Sequence, residues 1–396
     1  MSHPHSATVH NAEAVAAMKA GQPIQARAMA EEALQDHPED ASLWLNLAAA
    51  CRALGDIDAS LGAVEGALRA EPRSFLALLM KASLLERRGD LRQAGIGYGI
   101  ALTQAPPPEL LDQPTRRALE HARAFHADYV RGFRERLLDE VSDAKGLGRT
   151  AESRRIATFV DHVIGQRRIF HQAPTAFYYP GLPSIEFYPR EDFPWLDAIE
   201  DATNAVRREL LEVMADDSIA DRFTPYVSYP DGVPLDQWAE LNRSPRWSAF
   251  FLKDQGLPVA GNAERCPATM AALAGAPQPQ VVHRSPAAMF SQLKPRTRIP
   301  PHTGVSNTRL VVHLPLIIPS DCGFRVGNDS RPWHEGQAWV FDDTIEHEAW
   351  NLSDVPRTIL IFDIWSPFLS QVERDLISRV TAAADSFNEA APDSSL

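Results

Sequence analysis

Pro301-His302-Thr303-Gly304, followed after a short link by Thr308-Arg309-Leu310-Val311-Val312-His313-Leu314, reads as a turn feeding a β-strand. The apolar residues of the second run are rich in β-branched side chains, which fit a pleated surface. Side chains alternate between the faces of a strand, so Arg309, Val311 and His313 share one face while Leu310, Val312 and Leu314 take the other. The polar pair therefore points inward together. Working outward, Trp339-Val340-Phe341-Asp342-Asp343-Thr344-Ile345-Glu346-His347 closes on another histidine. Arg357-Thr358-Ile359-Leu360-Ile361-Phe362-Asp363 then opens a further strand on an arginine. Strands are predicted over Ala287–Leu293, Thr308–Ile318, Gln337–Phe341 and Thr358–Trp365. A small barrel folded from them can bring histidines distant in sequence into one cavity.

Neutral imidazole suits Fe(II), and the usual non-haem oxygenase site joins two histidines to one carboxylate with three positions open. His302 and His347 are the candidate metal ligands. The carboxylate commonly lies two residues after the first histidine, where this sequence has Gly304. Either the metal keeps water there or another group supplies the charge. Asp343, four residues before His347, is the nearest candidate for an acceptor that orients a ligand or metal-bound water. Arg357 begins a strand where its charge can meet a carboxylate at the cavity wall. Lys294-Pro295-Arg296-Thr297-Arg298 precedes His302, and its three positive charges either favour an anionic ligand at the mouth or belong to a solvated loop.

The first third repeats with a period of 34 residues, that of a tetratricopeptide helix pair. Gly21, Gly55 and Gly89 share one phase, Ala26, Ser60 and Ala94 a second, and Ala33, Ala67 and Ala101 a third. Leu34, Leu68 and Leu102 follow, and Pro38, Pro72 and Pro106 end the units. Small residues let helices approach, glycine makes the turn between them, and proline stops the second helix. Residues 5–107 thus resemble the tetratricopeptide family as three units, whose concave surface implies a peptide or protein partner. Residues 115–175 are expected to be a helical cap and linker, with His121 and His126 structural or exposed. A helix is expected around Trp195 to Met214, and another from Leu369 to Ala384 before a disordered tail, within a last segment of 369–396.

The whole chain has 396 residues, 44% of them hydrophobic and 23% charged, enough for two or three domains. A formal charge of −13 argues against a nucleic-acid partner. No apolar run approaches the ~20 residues of a membrane crossing, and residues Met1 to Asn11 lack a secretory core, so no membrane association and a cytoplasmic location are expected. Cys51, Cys266 and Cys322 form no Cys-x-x-Cys pair, which predicts buried free thiols.

His302-Thr303-Gly304, Phe341-Asp342-Asp343 with His347, and Arg357 resemble the aspartyl/asparaginyl β-hydroxylase family, in which glycine after the first histidine is the rule. Ser291, Arg309-Leu310, His313, Trp247-Ser248, Phe250-Phe251-Leu252 and Cys266-Pro267 extend the likeness over residues 178–368. The resemblance implies an α + β multidomain chain: an N-terminal α-solenoid, then a double-stranded β-helix, the jelly-roll or cupin-like class, over 176–368. It implies Fe(II) on His302 and His347, and 2-oxoglutarate as co-substrate with O2, held by Ser291, His313 and Arg357. Arg309 would assist the co-substrate or an acidic substrate, and Trp247 would line the substrate pocket. Val311 stands where animal relatives carry a second arginine, and Met289 where they carry a lysine. The reaction implied is hydroxylation of a C–H bond, first of all the β-carbon of Asp or Asn in a peptide recruited by the repeats. A lipid acyl chain or small molecule, halogenation, and a non-catalytic adaptor are the alternatives.

Overall fold

The structure is a computed structural model that describes residues 4–142, 151–281 and 283–388. Two compact units divide the chain, residues 1–166 and 167–396.

The first unit is helical: α1 (Pro4–Lys19), α2 (Pro23–Asp36), α3 (Ala41–Ala53), α4 (Ile57–Ala70), α5 (Phe75–Arg88), α6 (Leu91–Thr103), α7 (Gln113–Ser142) and α8 (Ala151–Val163). The repeat phases explain the pairing. Gly21, Gly55 and Gly89 each adopt a positive φ in the turn within a pair, a conformation that a Cβ disfavours. In the second and third pairs the next residue, Asp56 or Asp90, caps the following helix by accepting from Ala59 or Gln93 N–H. Ala33, Ala67 and Ala101 are all buried, as are Ala26, Ser60 and Ala94. The two histidines of α7 serve this unit: His121 meets the Glu86 carboxylate at 2.8 Å, and His126 Nδ1 bonds Gly95 O at 2.9 Å.

The second unit holds α9 (Leu196–Asp201), α10 (Thr203–Ala215), β1 (Thr224–Pro225), β2 (Trp247–Asp254), β3 (Leu257–Pro258) and α11 (Pro267–Ala274). It continues with β4 (Ala288–Leu293), β5 (Thr297–His302), β6 (Arg309–Ile317), β7 (Cys322–Val326), β8 (Asp329–Arg331), β9 (Trp339–Phe341), β10 (His347–Asn351), β11 (Arg357–Trp365) and α12 (Gln371–Asn388). One antiparallel sheet runs β1-β2-β4-β11-β6-β9 with β3 on β2, and the other runs β5-β10-β7-β8. Alternation along β6 separates two cores as the pattern demands. Leu310, Val312 and Leu314 pack with Leu196, Val206 and Leu210 of α9 and α10. Val311 joins Ile359 and Phe341 of the large sheet and Ile299, Phe324 and Ala349 of the small one in the core they share.

Several boundaries differ from the sequence reading. Residues 167–175, read there as linker, belong to the second unit: Ala173 N–H donates to Thr344 O and Thr175 N–H to Gly304 O. They lack alternation because their backbone bonds go to loops. The helix around 195–214 is two helices meeting at Ala202, and the last helix ends at Asn388 rather than Ala384. The expected disordered tail beyond it lies outside the described residues. Cys51 and Cys266 are buried and Cys322 half-buried. Among the described residues no helix is long and apolar enough to cross a membrane.

Candidate active site

β5 ends on His302 and β10 begins on His347, and these two residues face each other in the antiparallel register. Their rings lie 4.1 Å apart. Each Nδ1 meets a backbone carbonyl two residues back, His302 to Pro300 O at 2.8 Å and His347 to Ile345 O at 3.0 Å. A carbonyl can only accept, so Nδ1 carries the proton in both rings and Nε2 keeps its lone pair. Burial, and then the neighbouring imidazole, pushes the His302 pKa down to about 3, and burial lowers that of His347 to about 4. Both rings are neutral near pH 7, the form a divalent metal requires.

Among the described residues no group of three or more His, Cys, Asp or Glu side chains is arranged to hold a metal. Two residues after His302, Gly304 brings no side chain of its own. A Cβ built there would come within 2.1 Å of Asp343 Oδ2, so the Asp343 carboxylate fills the space a side chain at 304 would need. Asp343 Oδ2 accepts from Arg309 Nη2 at 3.1 Å, while its Oδ1 is buried without a partner.

Arg357, the first residue of β11, is 1% exposed, and its Nε and Nη1 find no acceptor among the described residues. Burial lowers its pKa to about 10, and the guanidinium carbon sits 4.7 Å from the Trp333 ring centre. His313 Nδ1 is likewise buried and unpartnered, and burial followed by the Arg357 charge drives its pKa well down. Ser291 Oγ accepts from Trp247 Nε1 at 3.1 Å, which leaves its own O–H free to donate. A buried cation without a counter-charge is costly, and an unpaired polar group beside it raises the cost. A bound carboxylate relieves both.

All eight side chains singled out in the sequence, Trp247, Ser291, His302, Arg309, His313, Asp343, His347 and Arg357, line one cavity of about 1520 Å³. The basic run before His302 does not. Arg296 pairs with exposed Asp354 and Arg298 lies over the Trp350 ring, so the three charges are solvated as the second reading had it, but only residues 294–296 are a turn and Thr297 and Arg298 already belong to β5. Asp342 caps a turn by accepting from Thr344 N–H and Oγ1. The sequence reading missed Trp238, whose ring lies 5.0 Å from that of His302, and Trp333 under Arg357. Trp238 sits in a short 3-10 turn and Trp333 outside helices and strands, so neither has a periodic signal.

Residues 200–367 match the family model for Aspartyl/Asparaginyl beta-hydroxylase, and residues 17–84 match that for Tetratricopeptide repeat. The hydroxylase-family match thus falls within the second unit and covers less than half of the chain. The chain is 34% identical over 195 residues to the "Ornithine lipid ester-linked acyl 2-hydroxylase" of Rhizobium tropici, covering 48% of this chain and 64% of that protein. It is 35% identical over 157 residues to the "Aspartyl/asparaginyl beta-hydroxylase" of Homo sapiens, covering 39% and 21%. With "Aspartate beta-hydroxylase domain-containing protein 2" of Xenopus tropicalis the identity is 28% over 216 residues, covering 53% and 55%. The chain thus spans less than two thirds of the length of each of these relatives. Of solved structures, the Arabidopsis OM64 TPR domain matches at 18% identity with a TM-score of 0.28, covering 32% of this chain and 97% of that one.

Proposed function

We propose that the chain is an Fe(II)- and 2-oxoglutarate-dependent dioxygenase that hydroxylates an unactivated C–H bond, and that its two sheets form a double-stranded β-helix. The observation that carries this reading is the pairing of two neutral imidazoles, rings 4.1 Å apart, with an unpaired buried guanidinium lining the same cavity.

His302 and His347 would hold iron through Nε2. Arg357 would grip one carboxylate of 2-oxoglutarate with two N–H donors, and Ser291 and His313 would complete its polar contacts. Bound there, iron with 2-oxoglutarate and O2 supplies the oxidation: the diacid loses CO2 to become succinate, one oxygen atom enters succinate and the other enters the C–H bond. The chain's own part is to position and to dry the site. Trp238, Trp247 and Phe324 wall the imidazoles with hydrocarbon, and the carbonyls of Pro300 and Ile345 fix the plane in which each ring presents Nε2.

Two substrates fit this chemistry. A peptidyl Asp or Asn recruited by the repeats has the support of the tetratricopeptide match and of the human relative's name. Its side-chain carboxylate would call on Arg309, which already donates to Asp343. The cavity walls favour the second substrate, an acyl chain, the group named in the rhizobial relative. Met289 and Ile361 are cross-strand neighbours, Ile361 is next to His313, and all line the cavity with Val311. That row is apolar on both sides of the histidine. The test is iron- and 2-oxoglutarate-dependent succinate formation accompanied by a product heavier by one oxygen. His302→Ala and Arg357→Ala are each expected to abolish turnover, and retained activity in either overturns the assignment.

A further inference from the structure

We infer that the end of the cavity between β11 and α12 is a subsite for hydrocarbon, built to take the tail of a fatty-acyl lipid whose reacting carbon lies at the paired histidines. This deepens, and rests on, the hydroxylase reading of the same cavity.

Alternate residues of β11, from Arg357 and Ile359 through Ile361 and Asp363 to Trp365, all line the cavity. At about 3.3 Å per residue the distance from Ile359 to Trp365 is roughly 20 Å, so the cavity is elongated along the strand. Its volume of about 1520 Å³ exceeds what a five-carbon diacid needs. One end is the buried Arg357. At the other end α12 contributes Leu376, Ile377 and Val380 to the lining. Ile377 packs against the cluster of Trp365, Val281 and Leu369, which ties α12 to the end of β11. Leu376 and Val380 sit one helical turn apart and are 48% and 69% exposed, and Tyr178, also in the lining, is 60% exposed. Hydrocarbon left in water at a cavity mouth and continuous with an apolar interior marks a binding surface.

The charged side chains that α12 and β11 present at this end are already engaged. Glu373 accepts from Tyr179 Oη and from Ser370, and Asp385 is gripped by Arg284 through Nε at 2.9 Å and through Nη2. Asp363 accepts from Ser285 Oγ and Ala287 N–H. On α12 and β11 the surface that remains for a ligand is chiefly Leu376, Ile377, Val380 and Trp365, with His283 and Thr381 as polar neighbours in the same lining. An acyl tail needs only the apolar residues among these, whereas a peptide would bring backbone donors and acceptors that each need a partner.

The probe is dansyl-undecanoic acid added to the full chain without metal, with binding read from dansyl fluorescence and competition by N-acyl glycines of increasing length. Palmitoyl-glycine is expected to displace the probe and hexanoyl-glycine not, with affinity rising by up to about fourfold per methylene that becomes buried. Leu376→Asp and Val380→Asp place a charge on half-open positions that α12 tolerates, and should weaken palmitoyl-glycine by about tenfold or more. Val380→Trp should narrow the mouth and reduce the preference for the longer chain. In parallel, 2-oxoglutarate binding is measured by calorimetry with Mn(II), and all three variants should match the parent. Parent protein that binds no 2-oxoglutarate defeats the cofactor reading. Normal 2-oxoglutarate binding with no dependence on chain length, with unchanged variants, or with displacement by an aspartyl peptide but not by acyl-glycine, defeats the subsite.

Discussion

Gly304 and Asp343 act as one steric unit: the absence of a side chain at the first is what lets the second bring a carboxylate beside His302. Gly304→Ala would drive a methyl group into Asp343 Oδ2, and is expected to cost about 1 to 3 kcal/mol of stability and to lower Fe(II) affinity. A denaturant melt and an anaerobic iron titration check the two effects. Arg357 gives the opposite trade. Its Nε and Nη1 are buried without an acceptor among the described residues, so Arg357→Met is expected to raise the ligand-free melting temperature while abolishing 2-oxoglutarate binding. A calorimetric scan with a binding isotherm on the same sample tests both. Titration adds a third expectation. His302 and His347 have folded pKa values of about 3 and about 4 against roughly 6.5 when unfolded. Between pH 6.5 and 4 the unfolded chain therefore binds more protons, and stability falls as pH falls through that window. Asp342, raised to about 6 by burial, and Asp343 and Asp363, both also raised by burial, work the other way, while His313, driven well down by burial, adds to the histidines. Relative to the parent, metal-free His302→Ala should lose less melting temperature between pH 7 and pH 5, because the mutant lacks a group that takes up a proton only on unfolding.

At the scale of elements, sequence legibility followed periodicity. The three helix pairs could be read because one residue type serves one geometric need in every unit, as Gly55 does at φ 81°. Ala67 is fully buried between helices, so Ala67→Leu is expected to destabilise the first unit by about 1 to 3 kcal/mol, read as an earlier urea transition in far-UV circular dichroism. β4, β6, β9 and β11 were visible as β-branched or aromatic runs. β5, β7 and β10 were not, because Thr297-Arg298-Ile299-Pro300-Pro301-His302 and His347-Glu348-Ala349-Trp350-Asn351 mix prolines and charges that only their pairing partners make acceptable. Those unread strands are the ones that carry both imidazoles. Arg309, Val311 and His313 were placed on one face of β6 correctly because side-chain alternation is a local property.

At the scale of the molecule, every proposed cofactor contact lies in residues 167–396. A chain beginning at Arg167 should therefore keep the 2-oxoglutarate affinity of the full protein, measured by calorimetry with Mn(II), and a large loss would show that the repeats shape the site. The sequence by itself determined the repeat array, the strand faces and the identity of the paired histidines and the arginine, since period, alternation and residue chemistry are properties of short segments. Only the tertiary structure decided that a carboxylate occupies the space over Gly304, that Arg357 is left without a counter-charge, and that α12 lends an apolar wall to the cavity. Those facts depend on distances between segments dozens of residues apart, and such distances exist only once the two sheets have packed.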